Sequence, residues 1–210
     1  MLSLLGISDA ELSARARAVL VGLLCELAAA HRELDRVRAC AMQLERLADE
    51  DTLLPIANRR AFVRELTRMM AFARRYETPG CLLFFDVDNL KRINDGHGHA
   101  AGDAGLRHIA ELLQANIRSS DILGRLGGDE FGVIMARCDP ATAAEKAQWL
   151  VELVESRPLA WDGQLIPLSL SVGLCPFSGH EDVTAMLQAA DRAMYRQKGR
   201  EPRGRVPAPA

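Results

Sequence analysis

Two short stretches of this chain gather residues able to do chemistry. Asp86 and Asp88 close the apolar run CLLFFDVDNL, and Asp129 and Glu130 follow the glycine pair Gly127-Gly128 in RLGGDEFGVIM. Acids at the end of a buried strand leave the core and face the cleft beyond it. Acids at a hairpin tip do the same, and a Gly-Gly pair suits a turn that needs φ > 0. If strand and hairpin are neighbours in one sheet, Asp86 and Glu130 converge. Two carboxylates and a backbone carbonyl, with no His or Cys nearby, make a hard oxygen site for a divalent cation such as Mg²⁺. Such a cation keeps substrate phosphates in its remaining positions, which points to a nucleoside triphosphate. Glycines also let backbone amides approach a phosphate closely. Either motif alone is equally a solvated loop. The polar cluster Lys91, Asn94 and Asp103 behind the first pair favours a site.

These residues need a frame. CLLFFDVDNL reads as a buried central strand, and INDGHGHAAGD as a Gly-rich turn leading into the helix AGLRHIAELLQANI. Strand, hairpin and strand follow in DILGRLGGDEFGVIM, then the helix ATAAEKAQWLVELVE, the strand IPLSLSVGL and the helix VTAMLQAADRAMYRQK. The alternation, with one tight hairpin in the middle, predicts an α/β sandwich with a mixed sheet. Upstream, residues from about 10 to 50 read as one helix with a single Gly and no Pro. Within it Leu23, Leu27, Ala30, Leu34, Val37, Ala41, Leu44 and Ala48 repeat at spacings of four and three, a heptad seam. A parallel homodimer stem is the preferred reading, and an amphipathic helix packed on its own domain is the alternative. Pro55 in DTLLPIANRRAF is expected to break this helix before a second, AFVRELTRMMAFARRY. The organisation is then a stem over 1–50, a globular domain over 51–200 and a Pro-rich, disordered tail over 201–210.

Bulk properties narrow the class. Of 210 residues, 49% are hydrophobic and 26% charged, which suits a protein with a real core. A formal net charge of -2 provides no basic field to recruit nucleic acid or anionic lipid. The run VLVGLLCELAAA carries Glu26 and is too short to span a bilayer, and the start shows no basic leader or cleavage site. A cytoplasmic protein is expected. The five cysteines show no metal-ligand spacing and are read as small buried hydrophobes rather than disulfides.

Taken in order, DVDNLKRINDGHGHAAGD, RSSDILGRLGGDEF, LSLSVG and ADRAMY resemble the GGDEF family of diguanylate cyclases, from about Asp51 to the end of the chain. The resemblance implies an α/β sandwich (α+β) in which helices wrap a five-stranded, mixed, palm-like sheet, similar to class III nucleotidyl cyclases. Here a long N-terminal helix precedes it. The activity implied is the Mg²⁺-dependent condensation of two GTP into cyclic di-GMP and two pyrophosphates in a homodimer joined through that helix. Asp86, the backbone carbonyl of Val87 and Glu130 would hold two Mg²⁺ per half-site, with Mn²⁺ an alternative. Lys91 and Lys198 would contact phosphates, and Gly127 and Gly128 would admit the substrate. Asn94 and Asp103 would read guanine, whose N1 and N2 donors adenine lacks. The bland alternatives are a turn former at Asn94 and a helix N-cap at Asp103. Asp129 would position or deprotonate the attacking 3′-hydroxyl.

Arg118 and Asp121 in RSSD match the family's inhibitory product site, since Arg pairs with a phosphate or with the Hoogsteen edge of guanine. A helix-end Arg and a strand-start Asp are the alternative. Several positions depart from the pattern. LLPI at 53–56 replaces LTGL, Leu90 stands where an aromatic is usual, Pro202 replaces an arginine, and the helix after the hairpin has no arginine. Arg200, Arg203 or Arg205 could take the missing phosphate contact. The partners implied are GTP, cyclic di-GMP as product and inhibitor, and an upstream regulatory protein, with no nucleic acid and no membrane span. The competing expectation is a catalytically silent GGDEF module that binds cyclic di-GMP or GTP as a receptor.

Overall fold

The structure, a computed structural model, describes residues 13–188, the side chains of 41–47 apart. By contacts the chain divides into two compact units, one ending at Ala48 and one beginning at Asp49. Of the first unit, residues 14–48 are helix and belong to α1 (Ala14–Asp49). Leu23, Leu27, Leu34 and Val37 of the expected seam are exposed on it, as are Val19 and Val21. Ala41 and Leu44 lie outside the described side chains. No helix among the described residues is long and apolar enough to cross a membrane.

The second unit is an α+β fold. Its elements run α2 (Arg59–Tyr76), β1 (Gly80–Val87), α3 (Leu90–His97), α4 (His99–Ala115), β2 (Ile122–Arg125), β3 (Glu130–Met135), α5 (Pro140–Glu155), β4 (Leu159–Trp161), β5 (Gln164–Ile166) and β6 (Leu170–Phe177). Among the described residues four strands, one fewer than the resemblance implies, form the sheet in the order β2-β3-β1-β6, and β4-β5 is a separate hairpin. All the ladders are antiparallel. At the outer edge of β2 one parallel bridge joins Ala57 to Gly124, and this single residue pair makes the sheet mixed. Each residue of β1 is buried, as a central strand flanked by β3 and β6 requires.

Two cores sandwich the sheet. On one face Leu83, Phe85, Phe131 and Val133 pack with Ile109 and Leu113 of α4 and Leu150 and Val154 of α5. On the other, Leu82, Phe84 and Ile134 pack with Phe62, Leu66 and Met70 of α2. The odd and even residues of β1 thus serve different cores, as the period of two dictates.

Several local expectations are corrected. The long helix ends at Asp49, well before Pro55. Asp51 ends it: its Oδ1 accepts the N–H groups of Leu53 (3.0 Å) and Leu54 (3.1 Å), and Asn58 then caps α2 by accepting from Ala61 N–H at 3.0 Å. The stretch INDGHGHAAGD is two helices rather than a turn, parted at Gly98, whose φ of 85 and ψ of 159 lie where only glycine is comfortable. The strand expected from Ile166 is interrupted at 167–169, where Pro167 cannot donate to a ladder. Of the cysteines, only Cys81 and Cys138 are buried, whereas Cys25 and Cys40 are exposed on α1. Burial pushes the Cys81 thiol up to about 12. The helix expected over 183–198 is described only at 183–188, and its remainder, with Lys198 and the tail at 201–210, lies outside the described residues.

The β2–β3 hairpin lies flat under α2 because Gly124 and Gly132 have no side chain. A Cβ at Gly124 would stand 2.6 Å from Cδ2 of Phe62 and 3.0 Å from the carbonyl oxygen of Ala57. Phe62 is fully buried and the other neighbour is backbone, so neither can give way. Gly124→Ala is expected to cost about 1–3 kcal/mol, as overpacking does, read as a fall in the urea midpoint at unchanged slope.

Candidate active site

The site starts from a register. In the β1–β3 ladder Asp86 lies directly opposite Glu130, and Val87 N–H continues it by donating to the Asp129 carbonyl at 2.9 Å. Directly opposed residues have Cβ atoms about 4.5–5.5 Å apart on one face. The convergence of Asp86 and Glu130 expected from sequence is therefore built into the sheet. Asp86 is only 8% exposed, and Glu130 is half-buried. Asp88 departs from this pair: its N–H donates to Ser169 O at 3.0 Å, and its Oδ1 accepts from Ser171 Oγ at 2.7 Å. It is tied to the β6 side.

The turn 126–129 follows from side-chain space rather than from unusual dihedrals. Neither Gly127 nor Gly128 has positive φ, contrary to the expectation. Gly127 is needed because a Cβ there would collide with the Glu130 carboxylate, which folds back over the turn. Gly128 meets open space and leaves the tip uncovered.

Beside the turn lies a cleft of about 440 Å³ lined by Lys91, Asn94, Asp103, Gly128 and Asp129, with Asp95, His99, Gly102 and Arg125. Five residues singled out from sequence thus share one cavity, with the Asp86–Glu130 pair joined to it through Asp129. Asn94 lies inside α3, and Asp103 is the fifth residue of α4, which excludes the turn-former and N-cap roles. The two helices meet closely because Gly102 has no side chain: a Cβ there would collide with Asn94 Oδ1. Asn89, at the start of α3, takes a left-handed φ of 56 that asparagine tolerates, and this turns the chain from β1 toward the cleft.

Arg125 is the main residue that sequence reading missed. Its Nη1 pairs with Asp51 at 3.0 Å, its Nε donates to the Gly127 carbonyl at 3.1 Å and its Nη2 to the Gly128 carbonyl at 2.8 Å. Only 15% of its side chain and 16% of that of Asp51 is exposed. One planar guanidinium thus fastens both glycines to the segment where α1 ends, using its fixed fork of donors. The available signal was an arginine between Gly124 and Leu126, a charge inside an apolar strand.

The RSSD turn lies elsewhere. Arg118 N–H donates to Asp121 Oδ2 at 3.0 Å, and Asp121 N–H donates to Arg118 O at 3.0 Å. Asp121 is buried, and its Oδ1 has no hydrogen-bond partner among the described residues. Arg118 is exposed.

Among the described residues no three His, Cys, Asp or Glu side chains are grouped to hold a metal. The two opposed carboxylates and a strand-end carbonyl remain a fit for a hard cation that takes few protein ligands and completes its shell with phosphate oxygens.

The family described as "Diguanylate cyclase, GGDEF domain" matches residues 48–203. The diguanylate cyclase DosC of Escherichia coli is 40% identical over 151 residues, 71% of this chain and 33% of that protein. The diguanylate cyclase TpbB of Pseudomonas aeruginosa is 37% identical over 159 residues, 75% of this chain and 36% of that one. The chain thus spans about a third of the length of these relatives, and 16% of a third relative in Escherichia coli. Among solved structures, the coiled coil and GGDEF domain of DgcB from Caulobacter crescentus, in complex with c-di-GMP, superposes with a TM-score of 0.77 at 30% identity. That match covers 84% of this chain and 94% of the other.

The Arg125 contacts generate a prediction about the turn. Arg125→Ala removes the donors of two carbonyls and leaves Asp51 without its cation, so amide hydrogen exchange at 127–130 should rise by roughly tenfold or more. Arg125→Lys, with one point charge in place of a fork, should protect these amides only partly.

Proposed function

The chain belongs to the GGDEF diguanylate cyclase family, and on that premise we propose that it condenses two GTP into cyclic di-GMP and two pyrophosphates. The observation that carries the proposal is the pairing of Asp86 with Glu130 across β1 and β3, at the rim of a cleft lined by Lys91, Asn94, Asp103 and Asp129. One GTP fits each chain, so the reaction needs two copies face to face. In each, a 3′-oxygen attacks the α-phosphorus of the other nucleotide and pyrophosphate leaves.

Asp86, Glu130 and the Val87 carbonyl would hold Mg²⁺, two per half-site, or Mn²⁺ in its place. Bound there, the metal would lower the pKa of the attacking hydroxyl and neutralise charge on the α-phosphate. The chain's own residues do the rest. Asn94 and Asp103 meet the guanine edge from two helices that Gly102 and Gly98 allow to meet closely, the carboxylate accepting from N1 and N2. Lys91 places a compact positive charge beside the triphosphate. Gly128, open at the tip, lets the phosphates approach the backbone, and Lys198 adds a second ammonium. The Asp129 carboxylate positions the 3′-hydroxyl and takes its proton. Arg125 contributes by holding the turn that carries Asp129.

The same reading makes Arg118 and Asp121 a product site for feedback. It makes α1 a stem that dimerises two copies, on which an upstream regulatory protein would act. It places the protein in the cytoplasm. The exposed Leu23, Leu27, Leu34 and Val37 support the stem, since an isolated helix gains most from a partner that covers such a stripe.

Two experiments test this. Purified protein with GTP and Mg²⁺ should yield cyclic di-GMP on chromatography, and Glu130→Gln should lower the rate by on the order of 10²-fold or more. Undiminished turnover in the variant overturns the mechanism, and product binding without turnover in the wild type makes the chain a receptor instead. Deletion of residues 1–48 should lower activity at nanomolar protein, and raising the variant's concentration should restore it, because the stem raises the local concentration of the second half-site. Equal dilution curves would contradict the stem's role.

A further inference from the structure

The rim of the cleft carries two charges that the proposed chemistry leaves unused. In α3, Ile93 is buried in the core, and Lys91, Asn94 and Asp95 line the cleft. Arg92, three residues before Asp95, is its neighbour on the helix surface. Both residues are exposed, and among the described residues neither enters an ion pair. Asp95 thus stands where the cleft meets solvent, with Arg92 beside it on the outside.

The same rim is low. A Cβ at Gly96 or Gly128 would meet no atom within 4 Å. Gly96 lies inside α3 and has no positive φ. Among the described residues neither packing nor backbone conformation therefore calls for glycine there, and a helical glycine is destabilising relative to alanine. What the missing side chain leaves is room for a body that approaches from outside. The reaction of two GTP requires one, since a second half-site must come down over this cleft.

We propose that the α3 rim is the contact surface between two copies of this chain in the productive dimer, with Arg92 of each copy paired to Asp95 of the other. The proposal rests on the reading of the chain as a cyclase and names the surface by which its half-sites meet. A two-fold axis sets residue i of one copy against residue j of the other, and j against i. A cation and an anion side by side are then their own complement, and two bridges form at once. A copy turned or shifted on the rim would set like charges together, so the pairs select one orientation. Orientation matters because each 3′-oxygen must lie in line with the other nucleotide's α-phosphorus. A misplacement of about 1 Å can cost on the order of 10²-fold in rate. Exposed bridges add little affinity. The stem supplies proximity, and the rim supplies alignment.

The test is charge reversal in the full chain, read as the rate of cyclic di-GMP formation at saturating GTP. Arg92→Glu and Asp95→Arg should each lower kcat by roughly tenfold, because each sets like charges together at both contacts. A purely local effect on the nucleotide would move the two variants in opposite directions, since one removes positive charge beside the triphosphate and the other adds it. The decisive arm joins the variants. Co-expressed under two tags and purified through both, one copy of each forms a dimer in which both contacts again unite opposite charges. That mixed dimer should recover most of the wild-type kcat. A pair formed within one chain could not, because it stays broken in both copies. Thermal midpoints should match the wild type throughout, both positions being exposed. If either reversal turns over as the wild type does, or the mixed dimer is as slow as its parents, the contact surface is wrong and the cyclase reading stands. If the wild type forms no cyclic di-GMP, the cyclase reading fails and takes the surface with it.

Discussion

A slip of one residue in the pairing of β1 with β3 would carry Asp86 to the opposite face of the sheet from Glu130, because side chains along a strand alternate. The site therefore depends on the same antiparallel register that builds the core. That register is strongly held. Leu83 and Phe85 face α4 and α5, while Leu82 and Phe84 face α2, so both faces of β1 are buried and a slip would exchange two cores at once. The acids at the end of the ladder inherit this precision at no separate cost in order.

Around that ladder, the cleft is assembled by removing side chains as much as by placing them. Gly102 admits Asn94 against α4, Gly127 admits the Glu130 carboxylate over the turn, and Gly124 with Gly132 admit Phe62 beneath the hairpin. None of these four has a positive φ. Their purpose is close approach, which a Cβ forbids, and not conformational freedom. Gly98 is the contrasting case, since its dihedrals part α3 from α4 and so set the two guanine-reading candidates on separate helices that face one cavity.

Arg125 and Asp51 give the turn a mechanical tie to the segment just beyond α1. A surface ion pair is usually worth little, but this one is mostly shielded from water and shares its guanidinium with the carbonyls of Gly127 and Gly128. The tie lies inside the second compact unit, so the segment 49–58 and the turn 126–129 form one braced structure.

By itself the sequence determined the family and most of the elements. Apolar runs and their periods placed the central strand, the hairpin and the long helices, because burial writes itself into local pattern. The motif acids, Lys91, Asn94 and Asp103 were legible because their types suit metal, phosphate and guanine. Only the tertiary structure decided that Asp86 opposes Glu130, that Asp88 turns away to Ser171, and that INDGHGHAAGD is helix on both sides of Gly98. It alone exposed Cys25 and Cys40 on α1 and revealed Arg125 as a clamped arginine. The physical reason is range. Periodicity and turn chemistry act over a few residues, whereas Arg125 meets Asp51 across 74 positions, and such a pairing exists only once the sheet has brought its edges together.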